Sequence, residues 1–180
     1  MVPELYSDTD LQPAHHAAAF FAWHRIFIHT YEKALQTECG YDSHLTYWDW
    51  TLDWQNFTES PVWGSPDGFG GNGDASSTKE GVSHGNCVTD GPFANFQVPW
   101  VNRKVRPHCL SRGFLEGENL THYGEWFQPS AVNSLMEKEN YEEFFLGVED
   151  GPHIAVPRSV RGDFAVLTAP SGESTQIKRI

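Results

Sequence analysis

Apolar side chains in the first forty residues recur at the spacing of an α-helix. Three or four residues separate one from the next, which places them on one helix face; they are Phe20, Phe27, Tyr31 and Leu35, with His24 among them. This pattern predicts a helix from about Ala17 to Thr37. Gly40 follows closely, and glycine is a frequent helix stop.

A second stretch with helical spacing lies near the end of the chain. The apolar pattern of residues 129–149 predicts one helix. Its inner side would be formed by Val132, Leu135, Met136, Tyr141, Phe144 and Phe145. Between the helices, residues 38–63 contain the aromatic run TYWDWTLDW, and residues 64–128 are rich in glycine and predict mostly loop. Residues 1–14 are polar and predict a loose segment. The fold class is therefore mainly α, with long irregular loops.

Two histidines at the start of the first helix are the main candidates for chemistry. Imidazole is the commonest metal ligand in proteins and suits copper, zinc and iron. His24 lies nine positions after His15, so a continuous helix, at about 100° per residue, would place them on opposite faces. They can converge on one metal only if His15 precedes the helix. Pro13 favours this arrangement, because proline is tolerated at a helix start and disfavoured inside one.

Charge and hydropathy limit the classes of partner. The formal net charge is −12 in 180 residues, which argues against binding to nucleic acid or to anionic membranes, both of which require clustered Lys and Arg. No stretch approaches eighteen apolar residues, so the sequence predicts no membrane span. The first twenty residues lack the charged start and apolar centre of a signal peptide.

The number of cysteines is odd. Cys87 and Cys109 flank part of the loop region and could pair, which would leave Cys39 over. In a secreted protein, an unpaired cysteine suggests that a segment carrying its partner is missing.

Several motifs together resemble the tyrosinases and catechol oxidases, in particular those of filamentous fungi. The segment His15-x4-Phe-Phe-x-Trp-His24-Arg is similar to the first-copper signature of that family, and further similar segments occupy residues 38–41, 47–50, 87–93, 108–114 and 151–156. The resemblance covers about residues 6–170. It implies a four-helix bundle that holds two coppers, each bound by three histidines. It also implies dioxygen as the oxidant, a phenol, catechol or o-aminophenol as the substrate, and secretion.

The same resemblance shows where this chain departs from the family pattern. His15, His24 and His153 match copper ligands, but no histidine precedes His15, and Pro157 stands where the partner of His153 is usual. The chain also runs into an unrelated segment after Ser171. We therefore expect residues 1–180 to be a single copper-binding domain that lacks its N-terminal start and the C-terminal part of the second copper site. Three of the six ligands are unmatched, so we expect copper occupancy to be low and this chain alone to be inactive or weakly active.

Two alternatives to an inactive or weakly active oxidase remain open. The chain could be a non-catalytic relative that keeps the scaffold and one copper, or a fragment from a truncated gene model. A partial bundle would expose apolar helix faces, so self-association of the chain is a further expectation.

The remaining polar candidates carry weaker signals. His16 is expected to face solvent, and surface positions are expected for His29, His44, His84, His108 and His122. Asp49 could orient a ligand histidine or cap an aromatic turn, and Glu149 could position a water near the second copper.

Overall fold

Five α-helices make up most of the regular structure in the part of the chain that the structure describes. The structure is a computed structural model, and it describes residues 14–166 except 66, 95 and 103; the predictions for residues 1–13, including Pro13, and for the segment after Ser171 fall outside this range. The helices are α1 (Phe20–Cys39), α2 (Gly117–Gly124), α3 (Pro129–Met136), α4 (Tyr141–Val148) and α5 (Ile154–Val160). The prediction of a mainly α fold is confirmed.

The first helix begins later than the sequence predicts, and it ends immediately before Gly40, the predicted helix stop. It starts at Phe20, and Gly40 caps its C-terminus in the left-handed conformation, with φ 68° and its N–H donating to the carbonyl of Leu35. Only Phe20 is fully buried among its 20 residues. Most of this helix therefore gains little stability from tertiary packing.

The single helix predicted for residues 129–149 is wrong, because two helices occupy this region. Helix α3 ends at Met136 and α4 begins at Tyr141. Asn140 adopts an extended backbone, and its side chain accepts a hydrogen bond from the N–H of Glu143 at 2.9 Å. This N-cap starts a new helix and interrupts the apolar pattern that runs through both.

The region predicted as mostly loop contains two small antiparallel sheets. Strand β1 (Asn86–Cys87) pairs with β4 (Ser111–Arg112), and β2 (Gln97–Val101) pairs with β3 (Lys104–Cys109). A disulfide joins Cys87 to Cys109, as their positions in the sequence suggested, and Cys39 is a free, exposed cysteine. Val88, Val98 and Leu110 form a small buried cluster on these strands.

The largest buried cluster lies between the aromatic run and α5. Phe57, Phe127 and Val156 are fully buried in it, and four tryptophans belong to it or pack against it, namely Trp48, Trp50, Trp54 and Trp63. A smaller cluster joins the start of α1 to α3 and α4 through Phe20, Leu135, Phe145 and Val148. The helix α5 and the start of α1 are thus held by two different sets of contacts.

His108 is not the surface histidine that the sequence predicts. Its side chain is only 4% exposed, and its Nε2 lies 2.7 Å from Oδ1 of Asp163, whose side chain is equally buried. Its Nδ1 lies 2.9 Å from the carbonyl of Arg106. Both ring nitrogens therefore lie within hydrogen-bond distance of an acceptor. The other oxygen of Asp163 accepts from the N–H and the hydroxyl of Ser111.

Arg112 is a buried cation beside this pair. One of its guanidinium nitrogens donates to the carbonyls of Phe69, Gly70 and Gly71, and the guanidinium lies 5.0 Å from the ring centre of Trp63. Burial lowers the pKa of Arg112 to about 10, and the carboxylates of Asp90 and Asp163 oppose this shift. The strands are therefore tied to the loops and to the segment after α5 by buried polar groups.

A candidate metal centre of three histidines

The loop before α1 carries His15 into the same space as His24. His15 precedes Phe20, the first residue of the helix, so the two rings are not held apart by helical geometry. The loop turns at His16, whose φ of 48° lies in the left-handed region. The centres of the His15 and His24 rings are 5.2 Å apart.

His153 completes a nearly equilateral group of three imidazoles. Its ring centre lies 5.5 Å from that of His15 and 5.6 Å from that of His24. One nitrogen from each ring can be chosen so that all three lie within 4.8 Å of one another, and all three residues are half-buried. Nitrogens bound to one tetrahedral ion at about 2.05 Å are roughly 3.3 Å apart, so the rings would close inwards on a metal.

A backbone hydrogen bond sets the orientation of His24. Its Nδ1 lies 2.7 Å from the carbonyl oxygen of Phe20, one turn earlier on α1. A carbonyl only accepts, so in the neutral ring Nδ1 carries the proton and Nε2 is the nitrogen able to bind a metal. A ligand imidazole commonly has its tautomer fixed in this way.

His153 lies at the end of a distorted segment between α4 and α5. Residues Glu149–His153 form a wide helical turn in which Gly151 departs from helical geometry, with φ −95° and ψ −112°. A Cβ added to Gly151 would lie 2.8 Å from Cε3 of Trp126. Trp126 therefore leaves no space for a side chain at position 151, and glycine permits the close approach.

Hydrogen bonds join the loop that carries His15 to helix α4 and to the turn that carries His153. The backbone N–H of His16 donates to the carboxylate of Glu149, with both oxygens at 2.9 Å. The hydroxyl of Tyr141 donates to the carbonyl of Ala18 at 2.6 Å. The carboxylate of Glu149 is therefore engaged by the main chain beside His15.

The aromatic ring of Phe20 contacts all three histidines. Its centre lies 4.5 Å from His24, 5.1 Å from His153 and 6.0 Å from His15. Phe20 is only 2% exposed. This apolar ring shields one side of the three imidazoles from water.

The other six histidines of the chain do not join this group, and all of them lie in the described residues. His16 is 70% exposed on its side chain, as predicted, and exposed positions are also confirmed for His29, His44, His84 and His122. His108 is bound to Asp163. Within the described ranges, His15, His24 and His153 form the one group of three or more metal-binding side chains. The described part of the chain thus brings three imidazoles together at a place where they could hold a metal ion.

The structure favours the capping alternative for Asp49. One of its carboxylate oxygens accepts from the backbone N–H and the hydroxyl of Thr51, and it begins the short helical turn Trp50–Leu52. The orientation of His24 comes from a carbonyl instead.

Sequence reasoning missed the residues that support the site. The sequence pattern identifies Phe20 and Tyr141 only as packing residues and gives no signal for Trp126, and no local pattern links Glu149 to His16 across 133 residues. The glycine and proline immediately before His153 were visible in the sequence, and they were a signal for an irregular turn at that point.

Residues 3–172 match the family model described as the common central domain of tyrosinase. The chain belongs to the tyrosinase family. This family consists of copper oxidoreductases that act on phenolic substrates with dioxygen.

Fungal members of the family are similar over most of the chain. The tyrosinase-like protein phomQ1 of Diaporthe leptostromiformis is 42% identical over 170 residues, which cover 88% of this chain and 43% of that protein. Tyrosinase ustQ of Aspergillus flavus is 40% identical over 156 residues, covering 86% of this chain and 43% of that protein. The chain spans less than half the length of these relatives.

The fold is also similar to that of a solved member. A polyphenol oxidase variant from Thermothelomyces thermophila superimposes with a TM-score of 0.72 at 28% identity, covering 87% of this chain and half of that protein. The helices described here therefore represent part of a tyrosinase-type helical core. None of the described helices is long and apolar enough to cross a membrane.

Proposed function

We propose that this chain forms the part of a tyrosinase-type copper oxidase in which His15, His24 and His153 bind copper. The observation that carries the proposal is the convergence of three imidazoles from the loop before α1, from α1 and from the turn before α5. Uncharged imidazole nitrogens suit copper, and the hydrogen bond from His24 to Phe20 engages Nδ1, so Nε2 is the nitrogen that would bind such an ion. Bound copper would supply the electron transfer between a phenolic substrate and dioxygen.

The residues of this chain would bind and orient the ion and limit the access of water. Each of the three rings would contribute one nitrogen to the ion, and the buried ring of Phe20 packs against them on one side. Pro157 lies one turn beyond His153 on the same helical stretch and offers no ligand. We therefore propose that residues 1–180 act as one copper-binding domain with a site for a single ion. Oxidation of phenols, catechols or o-aminophenols to quinone-type products by this chain alone is absent or very slow.

Copper content per polypeptide tests this proposal. After copper loading and removal of loosely bound metal, elemental analysis should find one copper per chain, and the His24→Ala and His153→Ala variants should fall close to zero. The matched control is His29→Ala, which removes an exposed histidine of α1 and should keep the wild-type content. Two coppers per chain, or rapid catechol oxidation, would contradict the single-ion site.

A non-catalytic copper-binding relative is the second candidate function. Pro157 at the position of an expected histidine favours it. Under this alternative the loaded protein holds copper and produces no quinone even with o-diphenols at high concentration.

We further propose self-association through the exposed apolar face of α1. Ile26 on this helix is 68% exposed, and Phe20 is its only fully buried residue. Light scattering should show concentration-dependent association that Ile26→Glu weakens, whereas a monomer at all concentrations would contradict it.

The disulfide between Cys87 and Cys109 supports secretion, because such bonds persist in oxidising compartments.

A further inference from the structure

Glu149 has a contact that the copper chemistry does not require. Its carboxylate is 3% exposed, yet it lies at the start of an irregular turn and faces the backbone of a loop 133 residues away. Burial of a carboxylate is costly unless hydrogen bonds stabilise it. The burial of the Glu149 carboxylate therefore needs a structural explanation.

The loop that Glu149 reaches carries a proposed ligand outside regular structure. Residues 15–19 precede α1, and no side chain caps the start of that helix. The position of the His15 side chain therefore depends on the contacts that fix the backbone of this loop. The left-handed conformation of His16, with φ 48°, is also costly for a residue with a β-carbon.

Both carboxylate oxygens of Glu149 receive the N–H of His16, at 2.9 Å each. A charge-assisted hydrogen bond is about twice as strong as a neutral one. Glu149 also lies four positions before His153 on the same turn. One carboxylate is thus joined through the chain to His153 and through a hydrogen bond to the residue after His15.

We propose that Glu149 is a positioning residue that fixes the distance between His15 and His153 by binding the backbone N–H of His16. This inference rests on the proposed function only in so far as the positioned rings bind copper. The alternative role, in which the carboxylate orients a water for proton transfer, requires its negative charge and basicity. The positioning role requires only an oxygen that accepts a hydrogen bond.

Substitutions at position 149 separate these roles. Glu149→Gln keeps an accepting oxygen for the His16 N–H, and Glu149→Ala removes it. Glu142→Ala is the control, because Glu142 is an exposed carboxylate on the neighbouring helix α4. The loss of a group that orients a metal ligand typically lowers metal affinity about 10- to 100-fold.

Two measurements on the full chain test the proposal. In hydrogen exchange of the metal-free protein, peptides covering residues 14–19 should exchange at least ~10-fold faster in Glu149→Ala, following the loss of one charge-assisted bond. They should be nearly unchanged in Glu149→Gln and Glu142→Ala. Copper(II) affinity, measured by competition with a chelator, should fall about 10- to 100-fold in Glu149→Ala and change little in the other two.

Several outcomes would overturn the proposal. Unchanged exchange of residues 14–19 in Glu149→Ala would show that the carboxylate does not hold the loop. Equal loss of affinity in Glu149→Gln and Glu149→Ala would show that its charge acts on the metal site. If the wild-type chain binds no copper, the proposed function fails, and the exchange measurement still decides whether Glu149 holds the loop.

Discussion

The strand region and the histidine site are stabilised in opposite ways. The strand region, defined as β1–β4 with residues 162–165, combines a disulfide, the buried hydrogen-bonded pair of His108 and Asp163, and Arg112, which is 0% exposed. The histidine site depends on a loop, one turn of α1 and an irregular segment, joined by the hydrogen bonds of Glu149 and Tyr141. The difference shows that the residues fixing the strand region and the residues arranging the three histidines are largely separate. Substitutions in the two regions should therefore affect different measurements.

The largest loss of stability should come from Asp163→Ala. It would leave the His108 ring and the Ser111 N–H buried without their acceptor, at a cost of about 3–5 kcal/mol. Urea unfolding measures this loss. Arg106→Ala is the matched control, because the Arg106–Glu80 pair is exposed and should contribute less than about 1 kcal/mol. Equal effects of the two substitutions would remove the distinction between the buried and the exposed pair.

Removal of the disulfide should come next. The bond between Cys87 and Cys109 closes a loop with a sequence separation of 22, and its loss in the double Cys→Ser variant should cost about 3 kcal/mol. The midpoint of urea unfolding should fall, and copper content of the folded protein should stay the same. A parallel loss of copper from folded protein would mean that the two regions are coupled.

A substitution at Gly151 should act on the site more than on the fold. In Gly151→Ala the new methyl group would meet Trp126 at 2.8 Å, and the strain should cost about 1–3 kcal/mol. Because position 151 precedes His153 by two residues, copper affinity should fall as well. The double variant Gly151→Ala with Trp126→Ala should regain part of the affinity, and the absence of any rescue would exclude this contact as the cause.

The smallest effect on stability should be that of Ile26→Ala. Ile26 is 68% exposed on α1, so the free energy of unfolding of the monomer should change by less than about 0.5 kcal/mol. Thermal unfolding at low protein concentration measures this change. A larger loss at that concentration would show that the outer face of α1 is packed in the monomer.

Helix α1 and the position of His15 could be predicted because their signals are local. The spacing of Phe20, Phe27 and Tyr31 identifies the helix, and the nine-residue interval requires His15 to precede it. Gly40 correctly marks the helix end. Asn140 with Glu143 three residues later was also a helix start signal, and the continuous apolar pattern concealed it.

The strand region could not be predicted in the same way. Strands β1 and β4 have two residues each, too few for an alternating pattern to be recognised. His108 stands in a polar stretch, and its burial depends on Asp163, 55 positions away. The contact of Glu149 with His16 is likewise set by tertiary structure alone, because neither residue has a local partner that would indicate it.

The distance along the chain between the two halves of the histidine site has a consequence for the order of folding. The strands and α5 can form while residues 14–19 are still unattached, since the contact between His16 and Glu149 closes a segment of 133 residues. Closing so long a segment carries an entropic cost that shorter contacts do not. We therefore expect the three imidazoles to come together after the strand region has folded, so that a metal ion would enter a partly folded chain.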